Sequence, residues 1–243
     1  MSIALDHTPP NTSRTWFGSF WASAIGKKAV MALTGFFLFG WILLHMLGNL
    51  KLYLGAAHLN EYAKFLITMG APALPNKTVL WIVRSLLIVC VWLHIQAATQ
   101  LTLMNRAARP IAYRDRDYVV GTYAARTMRW GGVIILLFVI YHLLHLTTGT
   151  LHPDFRLLPN GDVDVYHNVV SGFQVWWVSA VYIIANLALG LHLYHGLWSM
   201  FNSVGWNNPK FNNWKKVFAT AFALLITAGN VSFPIAVLTG FVR

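Results

Sequence analysis

Apolar residues along this chain do not alternate with polar ones; they gather into long blocks separated by polar or basic segments. The blocks run near Ala29–Leu50, Thr78–Leu101, Gly131–Leu151, Val175–Met200 and Val217–Phe241. Each is long enough to cross a hydrocarbon core, for which a helix needs about 20 residues. A segment apolar on every side reads as a helix in lipid, because a helix satisfies its own backbone there. The pattern therefore predicts an all-α membrane protein, a bundle of five transmembrane helices over residues 29–243, preceded by an N-terminal segment at 1–28. That segment opens polar, with Pro9-Pro10, and turns aromatic at Trp16, Phe17, Phe20 and Trp21, which suits the headgroup region. No small-residue cleavage site follows an early apolar run, so the first block is expected to be a retained helix. Between the first two blocks, Leu59, Tyr62, Phe65 and Leu66 recur at helical spacing and predict a short surface helix.

Composition agrees with a lipid solvent: 57% of residues are hydrophobic and 10% charged. The net charge of +11 does not point to nucleic acid, because the basic residues flank the blocks. Placing Arg14, Lys27, Lys28, the Arg106–Arg129 group, Lys210, Lys215 and Lys216 inside puts the N-terminus in the cytoplasm and the C-terminus outside. The loop from Asn105 to Arg129 sets Arg106, Arg109, Arg114, Arg116, Arg126 and Arg129 against only Asp115 and Asp117, which also suits docking of an acidic partner. The single cysteine, Cys90, excludes an internal disulfide, a c-type haem attachment and an iron–sulfur ligand set.

Histidine changes the picture most. The block from Val175 to Met200 carries no formal charge but holds His192 and His195, and His45, His94, His142 and His145 interrupt three others. An imidazole in hydrocarbon must stay neutral and find a partner. Depth sorts these residues. His45 lies about 15 residues, roughly 22 Å, from the inner end of its block, in the outer half. His142 and His145 lie past the middle of an outward span and belong at the same level. His94 and His192 each lie about eight residues, roughly 12 Å, from an inner end. Two opposed imidazoles at each level suit haem b, which also needs apolar walls and basic or hydroxyl groups for its propionates. Zinc would want more ligands converging at one depth, and copper would usually bring sulfur. With both axial positions filled, the chemistry is electron transfer. Gly35 and Gly40 precede His45, where a flat ligand or a neighbouring helix could come close. Glu61, the chain's one glutamate, stands with His58 near where the first span emerges, a candidate outer quinone site. His152 and His167 are expected at the surface, and the loop around Asp154, Asp162 and Asp164 has no assigned chemistry.

Leu44-His45-Met46-Leu47-Gly48-Asn49, the Arg129…Gly132…Tyr141-His142 run and His192-Leu-Tyr-His-Gly-Leu-Trp-Ser199 extend the pattern. Together with histidines in the first four of five spans, they resemble the cytochrome b subunit of succinate:quinone oxidoreductases, the two-haem, b558-type membrane anchor of succinate dehydrogenase and fumarate reductase. The resemblance covers nearly the whole chain. It implies His45 with His142 as ligands of an outer haem b and His94 with His192 as ligands of an inner one, choosing His142 over His145 and His192 over His195. It implies Arg129 as a propionate contact, menaquinone as the quinone, and a flavoprotein and an iron–sulfur subunit docked on the cytoplasmic face of a bacterial inner membrane. Succinate chemistry then belongs to the partners; this chain has no dicarboxylate site. Some members carry a proton-moving glutamate in the fourth histidine span, and Gly190 and its neighbours offer none. A cytochrome b of a membrane hydrogenase or formate dehydrogenase also pairs histidines across helices, and a haem-free anchor or transporter is the non-redox alternative.

Reversing two charges among Arg106, Arg109, Arg114 and Arg116 is expected to release the dehydrogenase as a soluble unit that still oxidises succinate. Membrane fractionation at low and high salt checks it, and unchanged assembly at both would refute the docking role.

Overall fold

The computed structural model describes residues 15–108, 123–203, 205, 206, 208, 210 and 212–243. The described residues form eight α-helices and no strand. The short α1, Trp16–Ala22, is capped by Thr15, whose side chain accepts from Gly18 N at 3.2 Å, and it exposes Trp16 and Phe17. Extended Ser23 ends α1 and caps α2, Ala24–Asn49, accepting from Gly26 N at 2.9 Å. The first span therefore begins ahead of Ala29, inside the segment assigned to the interface. Lys27 can lie within it because it is buried, donates its ammonium to the Trp21 carbonyl and lies over the Trp21 ring.

After α2 the chain continues through a 3₁₀ turn, Leu50–Leu54, and breaks at Gly55, whose φ of 94° only glycine adopts easily. The surface helix follows as α3, Ala56–Thr68. Next come α4, Thr78–Ala107, and α5, Tyr123–His142, which ends in a π-turn at Leu143–Thr147. An unexpected helix, α6, Val165–Gln174, is capped by Asp164 accepting from His167 N. The long α7, Trp176–Ser203, and α8, Asn212–Leu238, complete the bundle. Five helical stretches are long and apolar enough to cross a membrane: Ala24–Leu54, Thr78–Ala107, Thr127–Thr147, Trp176–Ser203 and Asn212–Leu238.

Helix α7 is the packing centre, lying along both α5 and α8, while α2 lies along α4. Its buried Tyr182, Leu193 and Leu197 join Ala219, Phe222 and Ile226 of α8 in one cluster. Gly190 lets α8 approach, since a Cβ there would collide with Thr227, and Gly229 does the same for Met46 of α2. One end of the bundle is closed by α3, α6 and the C-terminus. Asn60 donates to Asp164 at 2.9 Å and accepts from Tyr166 N at 3.1 Å, and Tyr166 donates to the Arg243 carbonyl at 2.8 Å.

Replacing Gly190 by Ala should push α8 from α7 and lower stability by about 1–3 kcal/mol, the usual cost of overpacking. Thermal unfolding of the detergent-solubilised chain measures it; an unchanged midpoint would mean that the α7–α8 contact is looser than described.

Candidate functional site

The bundle places its intramembrane histidines two by two. His45 of α2 faces His142 of α5 with ring centres 5.9 Å apart and planes at 85°. His94 of α4 faces His192 of α7 with ring centres 6.4 Å apart and planes at 57°. The partners sit on helices that do not pack on each other: the close pairs are α2 with α4 and α5 with α7, whereas the rings meet across α2–α5 and α4–α7. Each pair therefore faces across a gap between two packed layers. A metal–imidazole nitrogen bond of about 2.0 Å on each side would hold two opposed ring centres about 6 Å apart. Both observed separations fit a single iron between the rings.

Exposure separates these four from His145, and ring contact separates them from His195. His45 is exposed, and His94, His142 and His192 are only half-buried, although they lie in the middle of apolar spans. His145, by contrast, has 0% of its surface exposed. It stacks on Tyr141 at 5.5 Å and on His152 at 4.7 Å. Protein encloses His145 on all sides, while His142 keeps a face open toward His45. His195 is half-buried, with its ring 6.2 Å from Trp198 rather than against another histidine.

The walls are apolar and include missing side chains. A Cβ on Gly35 would lie 3.5 Å from His94 Cε1, and one on Gly132 would lie 3.8 Å from His192 Cε1. A Cβ on Gly40 or Gly131 would meet nothing within 4 Å. Beside His192 a cleft of about 270 Å³ opens between α5 and α7, lined by Thr127, Met128, Trp130, Gly131, Ile134, Ala188 and Leu191. Trp41 stacks on His45 at 5.9 Å, and Phe138 lies 6.0 Å from His142. Arg129 is exposed on α5 between two residues that line the cleft. Among the described residues no three His, Cys, Asp or Glu side chains converge as a metal cage.

Hydroxyls reach two of the four rings. Thr34 Oγ1 lies 3.1 Å from His94 Nδ1. Tyr182 Oη lies 3.2 Å from His142 Nδ1 and 3.1 Å from His145 Nδ1. Neither residue stands out as a site residue in the sequence. The available signal is a hydroxyl inside an apolar span, which must find a partner there. Among the described residues, the buried Nδ1 atoms of His192 and His195, Nε2 of His145 and the Tyr141 hydroxyl have no hydrogen-bond partner.

His152 departs from expectation. It is buried, with Nε2 donating to the Asn168 carbonyl at 2.8 Å and Nδ1 accepting from Asp154 N at 3.1 Å. The loop after α5 folds over α6, where the absent side chain of Gly172 leaves room for both the His145 and His152 rings. His167 keeps part of its ring exposed and donates to Asp154 at 2.9 Å. That hydrogen bond is the main reason the Asp154 carboxyl sits below the usual carboxylate range, with Arg156 adding to it. His58 and Glu61 lie exposed on α3, at the end of the bundle to which α2 delivers His45. Arg106 is exposed at the end of α4; Arg109, Arg114 and Arg116, with Asp115 and Asp117, lie outside the described residues. No family model, curated protein or solved structure matches the chain.

Proposed function

We propose that this chain is the membrane-anchor cytochrome b subunit of a succinate:quinone oxidoreductase. It would hold two haems b, anchor a flavoprotein and an iron–sulfur subunit in a bacterial cytoplasmic membrane, and deliver electrons to a quinone, menaquinone in this two-haem type. The observation that carries the reading is the pair of imidazole couples, 5.9 Å and 6.4 Å between ring centres, each spanning a gap between helices that do not otherwise pack together. Such couples recur at two levels. His94 lies beside Gly35, and His45 is ten residues further along α2, about 15 Å at the helical rise.

His45 with His142 and His94 with His192 would each hold a haem, which would supply one-electron transfer. The protein's part is binding, orientation and exclusion of water. His45, His94, His142 and His192 present neutral rings, which lipid burial favours over the charged form. Gly35 and Gly132 keep the space beside His94 and His192 clear of side chains, and Ile134, Ala188 and Leu191 make the cleft apolar. Arg129, beside the mouth of that cleft, is placed to meet a propionate. His58 and Glu61, three residues apart on exposed α3, form the surface offered to a quinone headgroup and its proton at the opposite end. With Thr227 packed on Gly190, α7 has no room there for the acidic side chain some related anchors use.

A reduced-minus-oxidised absorbance spectrum of the purified chain should show a b-type band equivalent to two haems per chain. His94→Ala or His192→Ala should halve it and leave the second haem in place. A wild-type chain without the band, or equal loss of both haems from every single-histidine variant of an inserted protein, would overturn the proposal.

A further inference from the structure

The hydroxyls beside two of the four rings do more than fill space, because each has a single hydrogen, which limits the ways its bonds can run. The Thr34 hydroxyl has one hydrogen, and it is committed to the carbonyls of its own helix, Val30 at 2.8 Å and Met31 at 3.3 Å. With that hydrogen on Val30, its oxygen accepts from His94 Nδ1, 3.1 Å away, a ring that also has the Met31 carbonyl within reach. His94 must carry its hydrogen on Nδ1, which leaves Nε2 with a bare lone pair. Thus α2 selects the tautomer of a ring on α4 that can bind a metal through Nε2.

Tyr182 supports the same tautomer in the other couple by a different route. Its one hydrogen must serve two imidazole nitrogens, His142 Nδ1 at 3.2 Å and His145 Nδ1 at 3.1 Å. One ring donates to the phenol oxygen, and the other accepts the phenol hydrogen. If His142 offers its Nε2 lone pair to the gap it shares with His45, its hydrogen is on Nδ1 and points to Tyr182. The phenol then donates to His145 Nδ1, and the His145 hydrogen lies on Nε2, so this order leaves a buried N–H without a partner among the described residues. The reverse order would put a hydrogen on His142 Nε2 and block it. Tyr182 is held for this task by Phe138 and Phe173, whose rings lie 5.0 Å and 4.8 Å from its own. His145 is fixed between Tyr141 and His152.

We propose that Thr34 and Tyr182 are positioning residues, each fixing the tautomer and angle of one axial histidine, His94 and His142 respectively. Among the described residues the partner rings have no such support: His192 Nδ1 is buried without a partner, and His45 makes no hydrogen bond. This rests on the haem-binding reading above. Donation of Nδ1–H to an oxygen makes the ring a more basic ligand, which favours the oxidised iron and lowers the potential. Removing the oxygen should therefore raise the potential of one haem and leave the other unmoved.

The test is a redox titration of both haems in membranes carrying the full chain as wild type, Thr34→Val, Thr34→Ser and Tyr182→Phe, with haem content measured alongside. Thr34→Val should shift one midpoint potential upward and weaken retention of that haem about 10–100-fold, the usual cost of losing such a partner. Thr34→Ser should restore both. Tyr182→Phe, which keeps the ring, should shift the other haem upward. Unmoved potentials with both haems retained would overturn the proposal. So would loss of haem from Thr34→Ser as well as Thr34→Val, which would make the position a packing requirement only. Absence of b-type haem from the wild type is a different failure, since it removes the functional reading and this inference with it.

Discussion

Lipid gives an imidazole no water to share its hydrogen bonds with, and this bundle is arranged around that constraint. Six histidines lie inside the apolar blocks, and each must be answered by protein or by something the protein binds. The two kinds of answer are visible side by side on one turn. His145 is enclosed by protein: Tyr182 takes one nitrogen, Tyr141 and His152 cover its faces, and nothing is left exposed, although its Nε2 has no partner among the described residues. His142, one turn earlier, has Tyr182 on Nδ1 and an open side toward His45. A chain that can enclose His145 completely could have enclosed His142 as well. That the opening recurs at the same kind of place, opposite another histidine, on a second set of helices is the strongest physical argument for a ligand between the rings.

The gaps themselves come from how small residues distribute helix packing. Gly190 and Gly229 let α8 close on α7 and α2 at distances a Cβ would forbid. The pairs α2–α4, α5–α7 and α7–α8 are tight and α2 also touches α7 and α8, so the looseness falls at α2–α5 and α4–α7, where the histidine rings meet. Van der Waals contact is the main force holding apolar helices together in lipid. Concentrating it within the layers leaves room between them for a flat, apolar group to supply the missing contact.

The spans are legible in the sequence because a helix in lipid must be apolar all round for its full length, a pattern no local detail can hide. Their ends are not. Ser23 starts α2 earlier than the apolar block does, because a cap and not the membrane surface begins a helix. Helix α4 runs past Leu101 to Ala107, ahead of Pro110, because leaving lipid does not stop a good helix former. The pairing of histidines by depth needs only the span directions and the helical rise. Helix α6 escapes a reading by pattern although Asp164 is a good cap and Val165, Val169, Val170 and Phe173 share a helical face. The prolines and aspartates just before it give the stronger signal, that of a loop. His152 is buried for a reason no local pattern contains, since its partners Asn168 and Gly172 belong to that same helix. The roles of Thr34 and Tyr182 are hidden for the same reason, because a hydroxyl in an apolar helix declares a need but not a partner.

Asymmetry within each couple bears on how the bundle could tune two chemically identical centres. Both couples offer imidazole against imidazole, so ligand identity cannot distinguish them. What differs is the second partner. On one side it is an aliphatic hydroxyl already saturated by its own helix, which can only accept. On the other it is a phenol that passes the hydrogen on to a second, fully enclosed imidazole. A chain of polarised bonds strengthens each member in a low dielectric, so the Tyr182–His145 arrangement should hold His142 as a stronger acceptor would. The enclosed end of that chain lies under the cap built by α6 and the loop carrying Asp154 and His167. Charge at that surface is thus a short distance from His145, which shares Tyr182 with His142, while nothing comparable stands behind Thr34 among the described residues. On the proposed two-haem reading, two centres with the same ligands would thereby have different electrostatic surroundings, set by residues that touch neither gap.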